Sequence, residues 1–213
     1  MNTVHIVPRV GKKVDLRSED GESTHARLLG AARDLVLEAG PDHISLREVA
    51  RRVGISAPAV YRHFENKDAL IAAACAQGFQ VFASYLVRAL SERTALGRLR
   101  ASGRLYLHFG LENQQDYRFI FMSRGVVDAK GGLAEANDEA TTFRFLVDRV
   151  SECMREKVLR KGDSDVVAAT IWAHVHGLVS LRISGHMSYV GDDHAFEEFY
   201  VRAVDELLRG LSA

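Results

Sequence analysis

The sequence predicts an all-α protein, and three observations carry this prediction. The 213-residue chain has only three prolines, so about 150 residues after Pro58 are free to be helical. Apolar residues recur at spacings of three and four, as they do on one face of a helix. No stretch alternates β-branched and polar residues as strands do. We therefore expect about nine helices, arranged as a three-helix head and a larger helical bundle.

Capping and helix-breaking residues place the first two helices. Helix 1 is expected from about Ser23 to Ala39, before the Gly-Pro pair that ends it. Helix 2 opens at Ser45, and Glu48 follows three residues later as in a capping box, where each side chain binds the backbone N–H of the other residue. Gly54 ends this helix because glycine adopts positive φ at little cost.

The same signals place the later helices. The connection VGIS has the length and the glycine of a helix-turn-helix turn, so helix 3 is expected from Ser56 to about Phe64. Asn66 caps a fourth helix that continues to about Leu90. Five further amphipathic stretches predict helices at 95–112, 116–123, 137–161, 164–187 and 192–211.

Composition divides the chain into three regions. Residues 1–21 hold four basic side chains and no periodic apolar face, so we expect a flexible basic arm. This arm either adds a phosphate or minor-groove contact or has no binding role. Residues 22–70 form the head, with the helix-turn-helix at about 45–64. Residues 71–213 form the body, in which the Gly-rich segment 128–133 is the clearest loop.

The charge distribution limits where a polyanion can bind. The chain has 28 Lys and Arg against 28 Asp and Glu, so any nucleic-acid surface must be local. Residues 43–67 supply such a surface, with five basic against two acidic side chains and a net charge of +3.

Cysteine usage and hydropathy indicate the compartment. Cys75 and Cys153 have neither the spacing of metal ligands nor the density of a disulfide scaffold, so we expect them to be reduced and buried. No apolar run approaches the roughly 20 residues of a membrane span, and the N-terminus lacks the apolar core of a signal peptide. We expect a soluble, cytoplasmic protein without a membrane partner.

Helix 3 presents a polar surface once its apolar positions are turned inward. Ile55, Val60 and Phe64 pack onto helix 2 and leave outward Ser56, Ala57, Pro58, Ala59, Tyr61, Arg62 and His63. Tyrosine and histidine can donate to phosphates, and arginine can reach a phosphate or a base edge. This surface is suited to a DNA groove.

The head carries a family resemblance. The run ISLREVARRVGISAPAVYRHFENKDAL resembles the DNA-binding domain of the tetracycline-repressor (TetR/AcrR) family of bacterial transcription regulators. The resemblance implies that Tyr61, His63 and Lys67 contact phosphate. It also implies that Arg47, Ala57, Ala59 and Arg62 face the groove, where the two alanines offer only apolar contact to a thymine methyl. The full candidate DNA-binding set is Ser45, Arg47, Ser56, Ala57, Pro58, Ala59, Tyr61, Arg62, His63 and Lys67.

Structural roles compete with DNA contact for several of these side chains. Tyr61 packs against helix 1 in the alternative interpretation, and His63 caps the end of helix 3. In this alternative, Arg51 and Arg52 only form part of the solvent-exposed face of helix 2.

The body concentrates the aromatic residues. At helical spacing most of them are ordinary core, yet polar side chains are interleaved with them, and an apolar cavity with a few polar groups holds small ligands. The candidate effector-binding residues are Phe79, Phe82, Tyr106, Phe109, Phe121, Phe143, Trp172 and His176. His176 is either a pocket residue or a hydrogen-bonded core histidine.

The end of the body has its own resemblance. DYRFIFMS, followed by IWAHVHGLVSLRISGHM, is similar to the C-terminal domain of a TetR subgroup marked by a Trp-His-Gly signature, here Trp172, His176 and Gly177. Relatives dimerise through their last two helices. The resemblance therefore implies a homodimer interface that includes Gly177, Leu178, Leu181, Ser184, Phe199 and Leu207, and a two-fold dimer demands a palindromic operator.

The sequence leaves two functions open and disfavours a third. The first is a homodimeric repressor that a small, largely apolar effector releases from a palindromic operator in double-stranded DNA. The second is a regulator without an effector that acts through a protein partner. An enzyme is disfavoured because the sequence has no His-Glu-x-x-His, Gly-rich phosphate loop or Gly-x-Ser-x-Gly, and neither a metal nor a cofactor is expected.

Overall fold

The computed structural model describes residues 23–123 and 137–213. These ranges are helical, which confirms the all-α prediction. The predicted arm at 1–21 and the predicted loop at 128–133 lie outside them. Within them the structure has nine α-helices: α1 (Thr24–Ala39), α2 (Leu46–Val53), α3 (Ala57–Tyr61), α4 (Lys67–Leu86), α5 (Ala95–Glu112), α6 (Gln114–Met122), α7 (Asn137–Arg155), α8 (Ser164–Ile183) and α9 (Asp193–Gly210).

Side-chain caps begin the helices of the head where the sequence predicted them. The Oγ of Ser23 accepts from the Ala26 N–H, and the Oδ1 of Asn66 accepts from the Ala69 N–H. At α2 only half of the predicted capping box forms. Ser45 Oγ accepts from the Glu48 N–H at 3.2 Å, but the Glu48 carboxylate binds the Arg51 guanidinium instead of returning to Ser45.

Helix α3 is shorter than the sequence predicted. It ends at Tyr61, and Arg62 and His63 follow in a turn in which the N–H groups of His63 and Phe64 both donate to the Val60 carbonyl. Pro58 occupies the first turn, where its missing N–H costs no helical bond. The turn directs Phe64 back into the core, where it is buried.

Two glycines let α6 pack closely into the body. A Cβ on Gly78 of α4 would stand 2.7 Å from the Ile120 side chain of α6. A Cβ on Gly110 of α5 would stand 2.5 Å from the Val179 side chain and 3.3 Å from the Tyr117 ring. Real Cβ contacts are longer than these distances, so glycine is required at both positions for helices α4, α5, α6 and α8 to approach this closely.

Two helices have the length and hydropathy of a membrane span, so the expectation that no segment would do so was wrong. They are α4 with its 3-10 extension (Lys67–Ser91) and α8. Length and composition alone give this result, and core helices of globular proteins pass the same test. Helix α4 is the core helix that joins head and body. In α8 only 28% of the most apolar 18-residue stretch is buried.

Candidate functional site

A tight turn sets the angle between α2 and α3. Gly54 adopts the left-handed conformation with φ of 77°, and its N–H donates to the Ala50 and Arg51 carbonyls at the end of α2. The Ile55 N–H also donates to Ala50. These bonds satisfy the free carbonyls of the helix end. The chain thus leaves α2 in one defined direction, and α3 packs across it through the fully buried Val60.

The predicted recognition residues are mostly exposed. Tyr61 is 56% exposed, which favours a surface role over the alternative in which it mainly packs against α1. Arg47 and Arg62 are also exposed, whereas Ala57 and Ala59 are half-buried. Three further predicted residues at the starts of α2 and α3 are exposed as well, namely Ser45, Ser56 and Pro58. Arg47 of α2, Tyr61 of α3 and Arg62 of the following turn are thus presented to solvent.

Three of the five basic residues in the segment 43–67 are bound to other groups of the protein. Arg51 binds Glu48 on its own helix, and Arg52 forms an ion pair with Glu38 that joins α2 to α1. Lys67 Nζ donates to the Pro41 carbonyl at 3.2 Å and is half-buried. Among the described residues, Arg47 and Arg62 have no carboxylate partner, which leaves these two guanidinium groups available for DNA.

His63 lies beside a second histidine. Its ring centroid is 6.2 Å from that of His25 in the first turn of α1, and both rings pack on Phe64. Within residues 23–123, no side-chain bond from His63 caps α3, so the structure favours a surface role over the predicted capping alternative. Sequence reasoning missed His25, because its proximity to His63 depends on how α1 crosses the end of α3.

The body contains a hydrogen-bonded cluster of two phenols and an imidazole. The Tyr117 hydroxyl lies 2.8 Å from His176 Nδ1, and the Tyr106 hydroxyl lies 3.0 Å from the same nitrogen. The two hydroxyls are 3.3 Å apart. The Tyr106 hydroxyl donates to that of Tyr117, and the Tyr117 hydroxyl also lies 3.3 Å from the His176 carbonyl oxygen. Because imidazole nitrogens donate or accept according to the tautomer, the cluster accommodates the ring proton on either nitrogen. Tyr117 was missed at the sequence level, although it stands one helical turn before Phe121.

Burial keeps this cluster uncharged at neutral pH. It raises the pKa of Tyr106 and of Tyr117, and it lowers the pKa of His176. The ionised forms of all three groups are therefore disfavoured. The cluster offers neutral hydrogen-bonding groups within an aromatic environment.

The structure divides the predicted effector residues into a packed wall and an accessible edge. Phe79, Phe82, Tyr106 and Phe109 are buried, and Phe82 contacts both Tyr106 and Phe109. The accessible edge is half-buried and consists of Phe121, Phe143, Trp172 and His176, with Trp172 in ring contact with the other three. The edge is thus the part of the predicted effector set that is partly exposed to solvent.

Helix α6 links this cluster to the head. Its Tyr117 and Phe121 belong to the aromatic cluster. The preceding residue, Asp116, accepts from Arg33 Nη1 of α1 at 2.9 Å, and the side chains of this pair are only 22% and 27% exposed. The Arg118 guanidinium donates to the Ile183 carbonyl at the end of α8. A shift of α6 would therefore displace Tyr117 and Phe121 in the cluster and Asp116 in its ion pair with the first helix of the head.

Helix α8 exposes an apolar face. Val166 is 61% and Leu181 is 43% exposed, and a Cβ on Gly177 would meet no atom within 4 Å. Of the other predicted interface residues, Ser184 is exposed, while Leu178, Phe199 and Leu207 are half-buried. An apolar helix face is normally covered, and no helix among residues 23–123 and 137–213 buries Val166 or Leu181.

A helix-turn-helix with exposed basic residues on a helical body is typical of a DNA-binding regulator. The family models identify which one: residues 28–74 match the bacterial regulatory proteins of the tetR family, and residues 99–207 match the tetracyclin repressor-like C-terminal domain. The chain belongs to the TetR family of transcriptional regulators. The narrower Trp-His-Gly subgroup stays a prediction.

Relatives support this assignment at different lengths. The chain is 31% identical over 178 residues to the transcriptional activator FasR of Mycolicibacterium smegmatis, covering 83% of this chain and 77% of FasR. An uncharacterised helix-turn-helix regulator of Mycobacterium tuberculosis is 40% identical over 55 residues, which is 26% of this chain and 29% of that protein. A Rhodococcus protein of unknown function superposes with a TM-score of 0.69 at 26% identity, over 90% of this chain and 97% of that one.

Proposed function

We propose that the chain is a homodimeric transcriptional repressor that binds a palindromic operator and is released by a small, largely apolar effector. The observation that carries the proposal is that Arg47 and Arg62 are exposed, without a carboxylate partner among the described residues, beside the exposed Tyr61 of the helix-turn-helix. A dimer bound over a promoter represses by occupying it. Such a protein works where the chromosome is, so we place it in the cytoplasm.

Each recognition residue has a distinct role in this proposal. Tyr61 and His63 bind phosphates and set the register of the head on the duplex, while Arg62 and Arg47 reach base edges. The half-buried methyl groups of Ala57 and Ala59 suit apolar contact with thymine. Lys67 reaches a phosphate only by leaving the Pro41 carbonyl, so in the free protein it holds the turn before α2.

Helices α8 and α9 form the proposed dimer seam. Close contact with the same helices of a second copy is favoured by the open space at Gly177 and by apolar side chains that are exposed or half-buried. These side chains are the exposed Leu181 and the half-buried Leu178, Phe199 and Leu207. We expect Leu181→Asp to give a monomer in analytical ultracentrifugation. Leu90→Asp is the matched control, because Leu90 is similarly exposed (48% against 43%) but lies outside this seam. A dimeric Leu181→Asp variant would contradict the seam.

The effector site is the accessible edge of the aromatic cluster. Phe121, Phe143 and Trp172 provide apolar contact, and the imidazole of His176 provides one hydrogen-bonding group for a polar atom of the ligand. Ligand contact with Phe121 moves α6, which alters the Arg33–Asp116 pair and thereby the head. A coupling of about 1–3 kcal/mol between the two sites is sufficient to change operator occupancy markedly.

Selection of duplexes from a random pool tests the DNA-binding part. We expect a palindrome whose half-site centres lie about 34–36 Å apart, one turn of DNA. His63→Ala should weaken binding to all duplexes alike, whereas Arg62→Ala should alter the preference among them. Arg155→Ala is the matched control, an exposed arginine at the end of α7. Enrichment of no sequence would contradict the proposal.

Ligand screening tests the effector part and separates it from a second function. Thermal shift and calorimetry with apolar drugs, acyl-CoA esters and flavonoids should find ligands whose binding Trp172→Ala weakens and that release the selected duplex. If every ligand fails while operator binding is intact, the regulator acts through a protein partner. Reporter expression in a deletion strain distinguishes repression, in which expression rises, from activation, in which it falls.

A further inference from the structure

We propose that His25 and His63 together form a binding site for one DNA phosphate, and that this site makes operator affinity fall as the pH rises from 6 to 8. The inference rests on the proposed DNA-binding function and deepens it. It adds to the operator surface a residue of α1 that no sequence motif marked.

Geometry brings the two imidazoles together and holds them. Their ring centroids are 6.2 Å apart with an interplanar angle of 60°. The His25 ring lies 5.1 Å from the Phe64 ring and the His63 ring 6.5 Å from it. Phe64 is itself 7% exposed, so it is a fixed platform. His25 is exposed and His63 is half-buried beside the exposed Arg62, so both rings lie at the surface that carries the recognition helix.

The charge of the two imidazoles couples DNA binding at this site to the uptake of protons. Two imidazolium groups carry like charges, which repel each other. A phosphodiester between them carries the opposite charge, relieves the repulsion and can accept hydrogen bonds from both rings. DNA binding then takes up protons. Each proton taken up changes the affinity by up to about tenfold per pH unit in the range in which it is linked to binding.

Other charged groups flank the two rings on α1, on α4 and in the turn between α3 and α4. On α1, the Arg27 guanidinium donates to the Val53 carbonyl at the end of α2. On the α4 side, Lys67 is bound to Pro41, and Asp68 is exposed, as is Glu65 in the turn. Within residues 23–123, neither ring forms an ion pair with a carboxylate. Glu22 precedes the helix outside the described residues, and a variant controls for it.

The test measures affinity for the selected palindrome against pH. Fluorescence anisotropy at constant ionic strength from pH 6 to 8 should show wild-type affinity falling by about tenfold or more. His25→Gln should weaken binding at pH 6 and flatten the profile. His25→Lys should keep the affinity at pH 6 and also flatten the profile, because lysine stays charged across this range.

Control variants isolate the pair from other titrating groups. His194→Gln changes an exposed histidine of α9 whose side chain is 83% exposed, and it should leave the profile unchanged. Glu22→Gln should also leave it unchanged. Circular dichroism checks that each variant is folded, which is expected since His25 is exposed.

The outcomes separate this inference from the function on which it rests. A pH-independent wild-type affinity, or a His25→Gln profile parallel to that of the wild type, would overturn the shared site while leaving operator binding intact. A profile flattened by Glu22→Gln as strongly as by His25→Gln would also overturn it. Failure of the wild-type protein to select or bind any duplex at pH 6 would instead contradict the proposed function.

Discussion

Replacement of Gly110 by alanine tests how α5, α6 and α8 are packed around the aromatic cluster. An alanine Cβ would stand 2.5 Å from Val179 Cγ1, and the Tyr117 ring would be 3.3 Å away. Ordinary carbon contacts need about 3.5–4 Å, so α8 must move outward by roughly 1 Å. Overpacking of this kind costs about 1–3 kcal/mol. The higher helix propensity of alanine offsets at most about 1 kcal/mol of this cost.

The expected net loss is about 1–2 kcal/mol of unfolding free energy, or a Tm lower by roughly 2–8 °C for a chain of this size. Calorimetry and urea denaturation measure this loss. Gly103→Ala is the matched control on the same helix, because its Cβ would meet Tyr200 only at 3.9 Å and Val204 at 4.0 Å. It should stabilise the protein by about 0.5–1 kcal/mol.

A double-mutant cycle identifies the overlap as the cause. Val179→Ala removes the atom that the new Cβ would meet, so it should cost less in the Gly110→Ala background than in the wild type. Gly110→Ala as stable as Gly103→Ala, or additive effects of the two substitutions, would refute the packing described above.

Three further predictions concern caps, charge and thiols. Ser45→Ala, which removes the N-cap of α2, should cost about 1 kcal/mol in thermal unfolding and also weaken operator binding. The Arg149 guanidinium, and then that of Arg98, lowers the pKa of Glu152, so this group stabilises the fold above about pH 4 and less at lower pH; Glu152→Gln should make acid unfolding shallower. Burial raises the pKa of Cys153 to about 11, so its thiol should react with a thiol reagent at pH 8 only after unfolding.

Local signals in the sequence were sufficient for the fold of the head. Ser45 and Asn66 cap their helices and Gly54 ends α2 because these effects depend on a few neighbouring residues. The length of α3 was overestimated, since the apolar Phe64 returns to the core through a turn rather than a further helical turn. The return of the Glu48 carboxylate to Ser45 was also predicted wrongly, because Arg51 competes for it.

The candidate sites were less accessible to sequence reasoning. Exposure of Tyr61 and Arg62 followed from helical periodicity. The pairing of Lys67 with Pro41 and of His25 with His63 depends on helix crossing, which spacing along the chain does not determine. The aromatic residues were recognised as a group, but their division into a buried wall and an accessible edge required the packing of α4 to α8. Tyr117 belongs to the cluster because Gly110, which has no side chain, lets α5 approach α6 closely.

The central claim is that the exposed surface of α2 and α3 reads an operator. The most direct measurement is the affinity of the wild type and of Arg62→Ala for the selected duplex and for a scrambled duplex of the same composition. Arg62→Ala should lose about 1–3 kcal/mol on the selected duplex and much less on the scrambled one. Equal losses on both duplexes, or no loss on either, would contradict the claim.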